Sequence, residues 1–147
     1  MRVSGVDVVA ARRMFGSLPS VAVATLNPDG SPHVVPLWFI WPEDAMYVST
    51  RVEGRTWSNA AADQRVAVTV DFGRAWVELA GIEILGRAHI LRAEQDEMRT
   101  PISAWHEKYR PLLGGSGFGR FSEEIRGLGF LRIVPERIAA WDHARGS

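Results

Sequence analysis

The densest group of chemically capable side chains lies in residues 48–59, which hold Ser49, Thr50, Arg51, Arg55, Thr56 and Asn59. An apolar run at 45–49 reads as a strand and an Ala-rich run at 56–63 reads as a helix, so the group spans a strand-to-helix junction. A helix start presents backbone N–H groups without intrahelical partners and the positive end of the macrodipole. Two hydroxyls, Ser49 and Thr50, and two guanidinium groups, Arg51 and Arg55, beside such a start make a candidate anion site. Arg offers a planar fork of donors that matches phosphate oxygens, and Gly54 is expected to let the backbone come close to a ligand. The same residues also describe an exposed turn with two solvated arginines, and on the junction alone that is the preferred reading, because anion sites of this kind are common by chance.

Other chemistry has little support. The chain has no cysteine, which removes disulfides, thiolate nucleophiles and Cys-based metal sites. His33, His89, His106 and His143 fall in different elements without the short spacings of a metal site, so no metal is expected. No nucleophile elbow, Walker loop or HExxH sequence is present, and no catalytic acid or base can be assigned. Glu78 and Glu83, five residues apart on a strand, point to opposite faces unless a bulge at Gly81 shifts the phase. Six tryptophans remain to be explained, of which Trp38 and Trp141 fit either core packing or contact with a ligand or partner.

The elements that must position the junction follow from hydrophobic period and turn chemistry. A chain of 147 residues fits one domain, expected to span 1–147, with the apolar and charged content of an ordinary globular protein. Seventeen basic and seventeen acidic residues cancel, so neither nucleic acid nor an anionic membrane surface is an expected partner; a small molecule and a second copy are. No run approaches the ~20 apolar residues of a membrane span, no signal-peptide core is visible, and a cytoplasmic location is the default expectation.

Val6, Val9, Ala10 and Met14 lie near helical spacing in 6–15. Strands at 20–26 and 33–41, joined by the turn-rich Asn27-Pro28-Asp29-Gly30-Ser31-Pro32, predict a hairpin. Its second strand is apolar on both faces and must be covered twice, once by the core and once by a ligand or partner. Pro36 marks a break or an edge in it. Further strands are expected at 66–72, at 76–91 with bulges or bends at Gly81 and Gly86, and at 129–134. A helical region at 93–109 carries Met98, Ile102, Trp105 and Tyr109 on one stripe, with Thr100-Pro101 read as a cap and a first helical position. Gly114 to Gly119 reads as a flexible loop and 122–126 as a helical turn. Strands joined by tight turns with a few helices predict a mainly β, α+β fold built on an antiparallel barrel.

With those elements in place, the sequence resembles the pyridoxamine 5'-phosphate oxidase-like split-barrel family, FMN-binding in type. The resemblance runs from Val21 to His143 through Ala24-Thr25-Leu26, Pro28-Asp29-Gly30-Ser31-Pro32-His33, Leu37-Trp38-Phe39, Ser49-Thr50, Asn59, Ala67-Val68-Thr69-Val70-Asp71, Gly86-Arg87-Ala88 and Trp141-Asp142-His143. It implies a homodimer that holds FMN or the deazaflavin coenzyme F(420) between subunits, with the phosphate at the strand-helix junction. By that resemblance Ser49, Thr50, Arg51 and Arg55 contact the phosphate, Thr56 takes the place where relatives usually carry Lys, and Asn59 supports the turn. Backbone at Val35, Pro36 and Leu37 would face the ring, with Trp38 nearby. The Trp-Asp-His ending and a composition of sixteen Arg to one Lys look more like the F(420)-dependent oxidoreductase branch, with FMN the next choice. A non-catalytic flavin or haem carrier of the same fold is the alternative.

Overall fold

A computed structural model of the chain describes residues 2–4, 7–112 and 127–145. Among these residues, seven strands run β1 (Arg2–Ser4), β2 (Ser20–Leu26), β3 (Pro32–Ile40), β4 (Met46–Arg51), β5 (Arg65–Phe72), β6 (Ala80–Arg92) and β7 (Leu128–Asp142). Helices are α1 (Val8–Phe15), α2 (Arg55–Ala62) and α3 (Arg99–Tyr109). The strand order β7-β4-β3-β2-β5-β6 closes through a β6–β7 ladder, and every pairing is antiparallel. Among the described residues the result is a closed six-stranded barrel with three helices, an antiparallel barrel as the sequence predicts; β1 pairs with the outer end of β7.

Period-2 alternation fills the barrel. Val21 and Val23 of β2, Val66, Val68 and Val70 of β5, and Ile82 and Ile84 of β6 all point inward and are buried. Each such side chain contributes about 1.5–3 kcal/mol by leaving water. α1 adds Ala11 and Phe15 to this interior and α2 adds Trp57 and Ala60. A second apolar cluster lies outside the barrel, where Met98, Trp105 and Tyr109 at the start and along α3 cover Ile40, Leu91 and Phe130. The face of β3 that alternation turns outward is therefore covered at Trp38 and Ile40, while Val34 stays 63% exposed.

Several expected boundaries move. α1 begins at Val8, where Asp7 caps it by accepting from Val9 N–H at 2.8 Å, and its buried stripe is Ala11 and Phe15; Val9, Ala10 and Met14 face solvent. The expected strand at 76–91 divides into a 3-10 turn, Trp76–Glu78, and β6. Glu78 there accepts from the N–H groups of Arg74 and Ala75, in a different element from Glu83. Gly81 is not a bulge: a Cβ there would collide with the indole of Trp141. The irregularity sits opposite Gly86, where Leu85 pairs with Arg137 and Gly86 with Pro135, so the extra residue is Glu136 on β7. That bulge, beside a proline that cannot donate, lets one strand continue from 128 to 142 where sequence alone ended it at 134. α3 is preceded by a 3-10 turn at Asp96–Met98, which places Pro101 in the third helical position instead of the first. The glycine loop and the helical turn at 122–126 lie outside the described residues.

Candidate functional site: the split between β3 and β4

β3 and β4 are neighbours in the barrel but pair only at Phe39–Val48 and Ile40–Tyr47. One step further the ladder stops, and the Ser49 hydroxyl takes its place by donating to the Trp38 carbonyl at 3.2 Å. From there β3 keeps its β2 partners but has no β4 partner, so among the described residues 32–38 has one free edge, and Pro36 lies within it. The expectation of an edge at Pro36 holds. β4 meanwhile continues alongside β7 to Arg51 and turns into α2.

The turn is tight, with Gly54 N–H donating to Arg51 C=O at 3.1 Å. Its left-handed residue is Glu53, at φ 64°, a conformation that costs a non-glycine residue of order 1 kcal/mol or more. Gly54 has an ordinary φ of −72° and is the N-cap of α2, without a side-chain cap. A Cβ on Gly54 would lie 3.2 Å from the Arg51 carbonyl, so its value is clearance and not a left-handed turn. The first helical bond runs from Ser58 N–H to Gly54 C=O at 2.9 Å, which leaves the earlier N–H groups of α2 without intrahelical acceptors.

The sequence-derived residues divide into two groups around that turn. Arg51 and Arg55 are exposed and make no ion pair among the described residues. Arg55 lines a groove of about 540 Å³ with Asn27, Asp29 and His33 from the β2–β3 hairpin. Within it the Ser31 hydroxyl and N–H, and more weakly the Arg55 charge, hold the Asp29 carboxyl below its usual range. Ser49, Thr50, Thr56 and Asn59 are all buried. Thr50 follows Met46 and Val48 on the inward face of β4, and Thr56 is only 4% exposed. Asn59 donates to Thr25 Oγ1 at 3.1 Å and to Asn27 Oδ1 at 3.0 Å, tying α2 to the hairpin. Val35 and Leu37 are half-buried and Pro36 is exposed. Trp38 is held under α3, stacked on Tyr109 with centroids 4.2 Å apart at 6°.

Sequence reasoning missed the lock beneath this split. The Tyr109 hydroxyl accepts from Phe39 N–H at 2.7 Å and lies 2.8 Å from the carbonyls of Phe39 and Pro19. Lys108 Nζ donates to the carbonyls of Gly16 and Phe39 and sits 3.6 Å from the Phe39 ring centroid. Burial pushes the Lys108 ammonium down to about 8 and the Tyr109 phenol up to about 12. A signal was available: Lys108 is the single lysine in a chain of sixteen arginines, and a compact ammonium fits between two carbonyls where a planar guanidinium fork does not.

A phosphate-bearing cofactor fits what this chain presents: unpaired guanidinium groups, an uncapped helix start and a glycine that leaves clearance. The charge would come from Arg51 and Arg55, with Asn59 tying the start of α2 to the hairpin. Among the described residues no group of three or more metal-ligating side chains assembles, and no helix is long and apolar enough to cross a membrane.

Comparison with known structures agrees with this architecture. A conserved hypothetical protein from Mycobacterium tuberculosis superposes with TM-score 0.77 at 23% identity, over 95% of this chain and 86% of that one. An FAD-binding protein from Mesorhizobium loti gives TM-score 0.71 at 16% identity, covering 95% of each chain. An F420 reductase gives 0.63 at 18% identity, over 86% of this chain and 94% of that one. At these identities the likeness establishes the fold. No curated protein sequence matches the chain. The family model for pyridoxamine 5'-phosphate oxidase matches residues 9–142, nearly the whole chain, and the protein belongs to that family.

Proposed function

We propose that the protein is a homodimeric oxidoreductase that binds reduced coenzyme F(420), with FMN as the next choice, at the split between β3 and β4. The observation that carries this reading is the uncapped start of α2 with Arg51 and Arg55 unpaired on either side of it. Arg51, Arg55 and the first N–H groups of α2 hold the phosphate. Val35 and Leu37 present an apolar wall along the free edge of β3, which orients a flat ring and excludes water. When bound, such a cofactor supplies a hydride for exchange with a small, electron-poor organic substrate. Lys108 and Tyr109 are engaged with backbone carbonyls, so neither is assigned as acid or base. The resemblance of the Trp141-Asp142-His143 ending to the deazaflavin branch, and the F420 reductase among similar structures, support F(420) over FMN.

A second copy covers the outer face. Ala22 and Ala24 of β2 pair with Pro36 and Val34 of β3 on one side and with Thr69 and Ala67 of β5 on the other. Ala67 in turn pairs with Leu85 of β6. Thr69 apart, these residues make an apolar sheet face that no helix among the described residues overlies, continuous with the edge of β3, as a cofactor groove shared between subunits requires.

Titration of the purified protein with F(420) and separately with FMN, followed by tryptophan quenching, tests the reading. Saturable quenching by F(420) is expected, and its absence sinks the first choice. Burial of Thr56 favours one other reading, a flavin or haem carrier without turnover, because the lysine usual in relatives has no counterpart here. Tight binding without oxidation of the reduced cofactor by a panel of enones and quinones would select the carrier.

A further inference from the structure

A second cavity of about 430 Å³ lies on the outside of the barrel, between the β3–β4 connection, the start of α3 and the row of β4 and β7 side chains beneath them. It is remote from the split: Tyr47 stands at the opposite end of β4 from Arg51, roughly 13 Å away along the strand. Its floor is made by Tyr47 and Arg132, which are directly paired across the β4–β7 ladder. Its rim carries carboxylates from two separate elements, Glu43 and Asp44 on the connection and Glu97 in the 3-10 turn before α3, with the Thr100 hydroxyl beside Glu97.

The charges in this cavity do not neutralise one another. Arg132 forms no ion pair among the described residues although three carboxylates line the same space, and its Nε is buried without a hydrogen-bond partner. That Nε is closed off by the protein, and Arg132, which lines the cavity without an ion pair, keeps its charge for an anion there. Glu43 and Glu97 act on the Tyr47 phenol from one side and Arg132 from the other, so all three stand within electrostatic range of one hydroxyl. Burial holds that phenol above its ordinary range and keeps it protonated, able to donate and to accept. Pro101 and Ala45 supply apolar wall between floor and rim.

A guanidinium at the floor and carboxylates at the rim, held apart in one pocket, match a molecule with an anionic group at one end and an ammonium near it. We infer that this cavity binds a free α-amino acid, its carboxylate on Arg132 and Tyr47 and its ammonium toward Glu97 and Glu43. The cavity has room for a side chain against Pro101 and Ala45. A peptide is a poor fit, since its terminal charges lie at opposite ends of the chain, whereas a free α-amino acid carries both on one carbon.

Isothermal titration calorimetry on the full chain tests this, using the free α-amino acids one at a time, with propionate and ethylamine as probes that keep one charge each. At least one amino acid should bind saturably below about 10 mM, and both single-charge probes should fail at that concentration. Arg132→Met and Glu97→Gln should each weaken that binding about tenfold or more, the loss of one charge-assisted contact. Glu97 is exposed, so its substitution leaves the fold intact even if Arg132→Met does not fold. Glu97→Gln should also leave F(420) or FMN titration unchanged, which keeps this site separate from the split. Absence of binding by every amino acid, equal binding of propionate, or unchanged affinity in Glu97→Gln would each overturn the inference.

Discussion

Arg55 carries the most weight of any single residue at the split, because it is exposed, unpaired and placed at the first position of an uncapped helix. Asp29 across the groove could compete with an anion for Arg55, but its carboxyl already accepts from Ser31. Replacing Arg55 with Ala should weaken cofactor binding about tenfold, the scale of one charge-assisted hydrogen bond. An unchanged dissociation constant by tryptophan quenching would place the phosphate elsewhere. Thr56 is a different case. Buried and facing the interior, it does not stand in for a lysine that reaches toward a phosphate, so the charge at this junction rests with its two arginines. That Arg, Ser, Thr and Gly gather beside a helix start could be read from residue types alone. Which hydroxyls face outward could not, because that depends on the phase of β4 and on where its ladder with β3 ends.

At the scale of elements, α3 acts as a buttress whose last turn pins the end of β3, and its half-buried Lys108 and buried Tyr109 make stability depend on pH. Lys108 falls to about 8 in the folded chain from an ordinary 10.5, so between those values the unfolded chain binds a proton that the folded chain has released. Stability should rise with pH across that window. Tyr109 rises from 10.0 to about 12, so above pH 10 the unfolded chain loses its proton first and stability should fall. Urea denaturation at a series of pH values should therefore give a maximum near pH 10, and Lys108→Met should abolish the rising limb while keeping the falling one. The stripe of Met98, Trp105 and Tyr109 was legible from helical spacing, but the polar lock was not, since its acceptors are backbone carbonyls far away in sequence. The pairing of β6 with β7 has its own test. Gly81→Ala should cost about 1–3 kcal/mol by driving a Cβ into Trp141, and the penalty should shrink in a Trp141→Leu background. Sequence reasoning took Gly81 for a bulge because a glycine within a strand signals either a bend or a close neighbour, and only the partner strand tells them apart.

On the scale of the whole molecule, the apolar outer face across β3, β2, β5 and β6 predicts the assembly. Leu85→Asp or Val34→Asp, both at exposed positions, should leave the barrel folded. Either substitution should shift the protein from dimer to monomer in sedimentation equilibrium and weaken cofactor binding with it. A dimer that survives both substitutions would move the interface to another face. The barrel class was legible because alternating strands, tight turns and a two-faced second strand point to one architecture. Closure was not, because the strand that closes it is interrupted by Pro135 and an extra residue, which in sequence look like an ending. That strand also sets a clock for the molecule. β7 bonds to β6 along its length, to β4 at its start and to β1 at its end, joining segments as far apart as Arg2 and Trp141. Contacts so distant in sequence form late and slowly, and they release only together. Amide hydrogens of β7 should thus exchange with solvent at the rate of global unfolding, while those on the free edge of β3 exchange through local opening, until a ligand settles there.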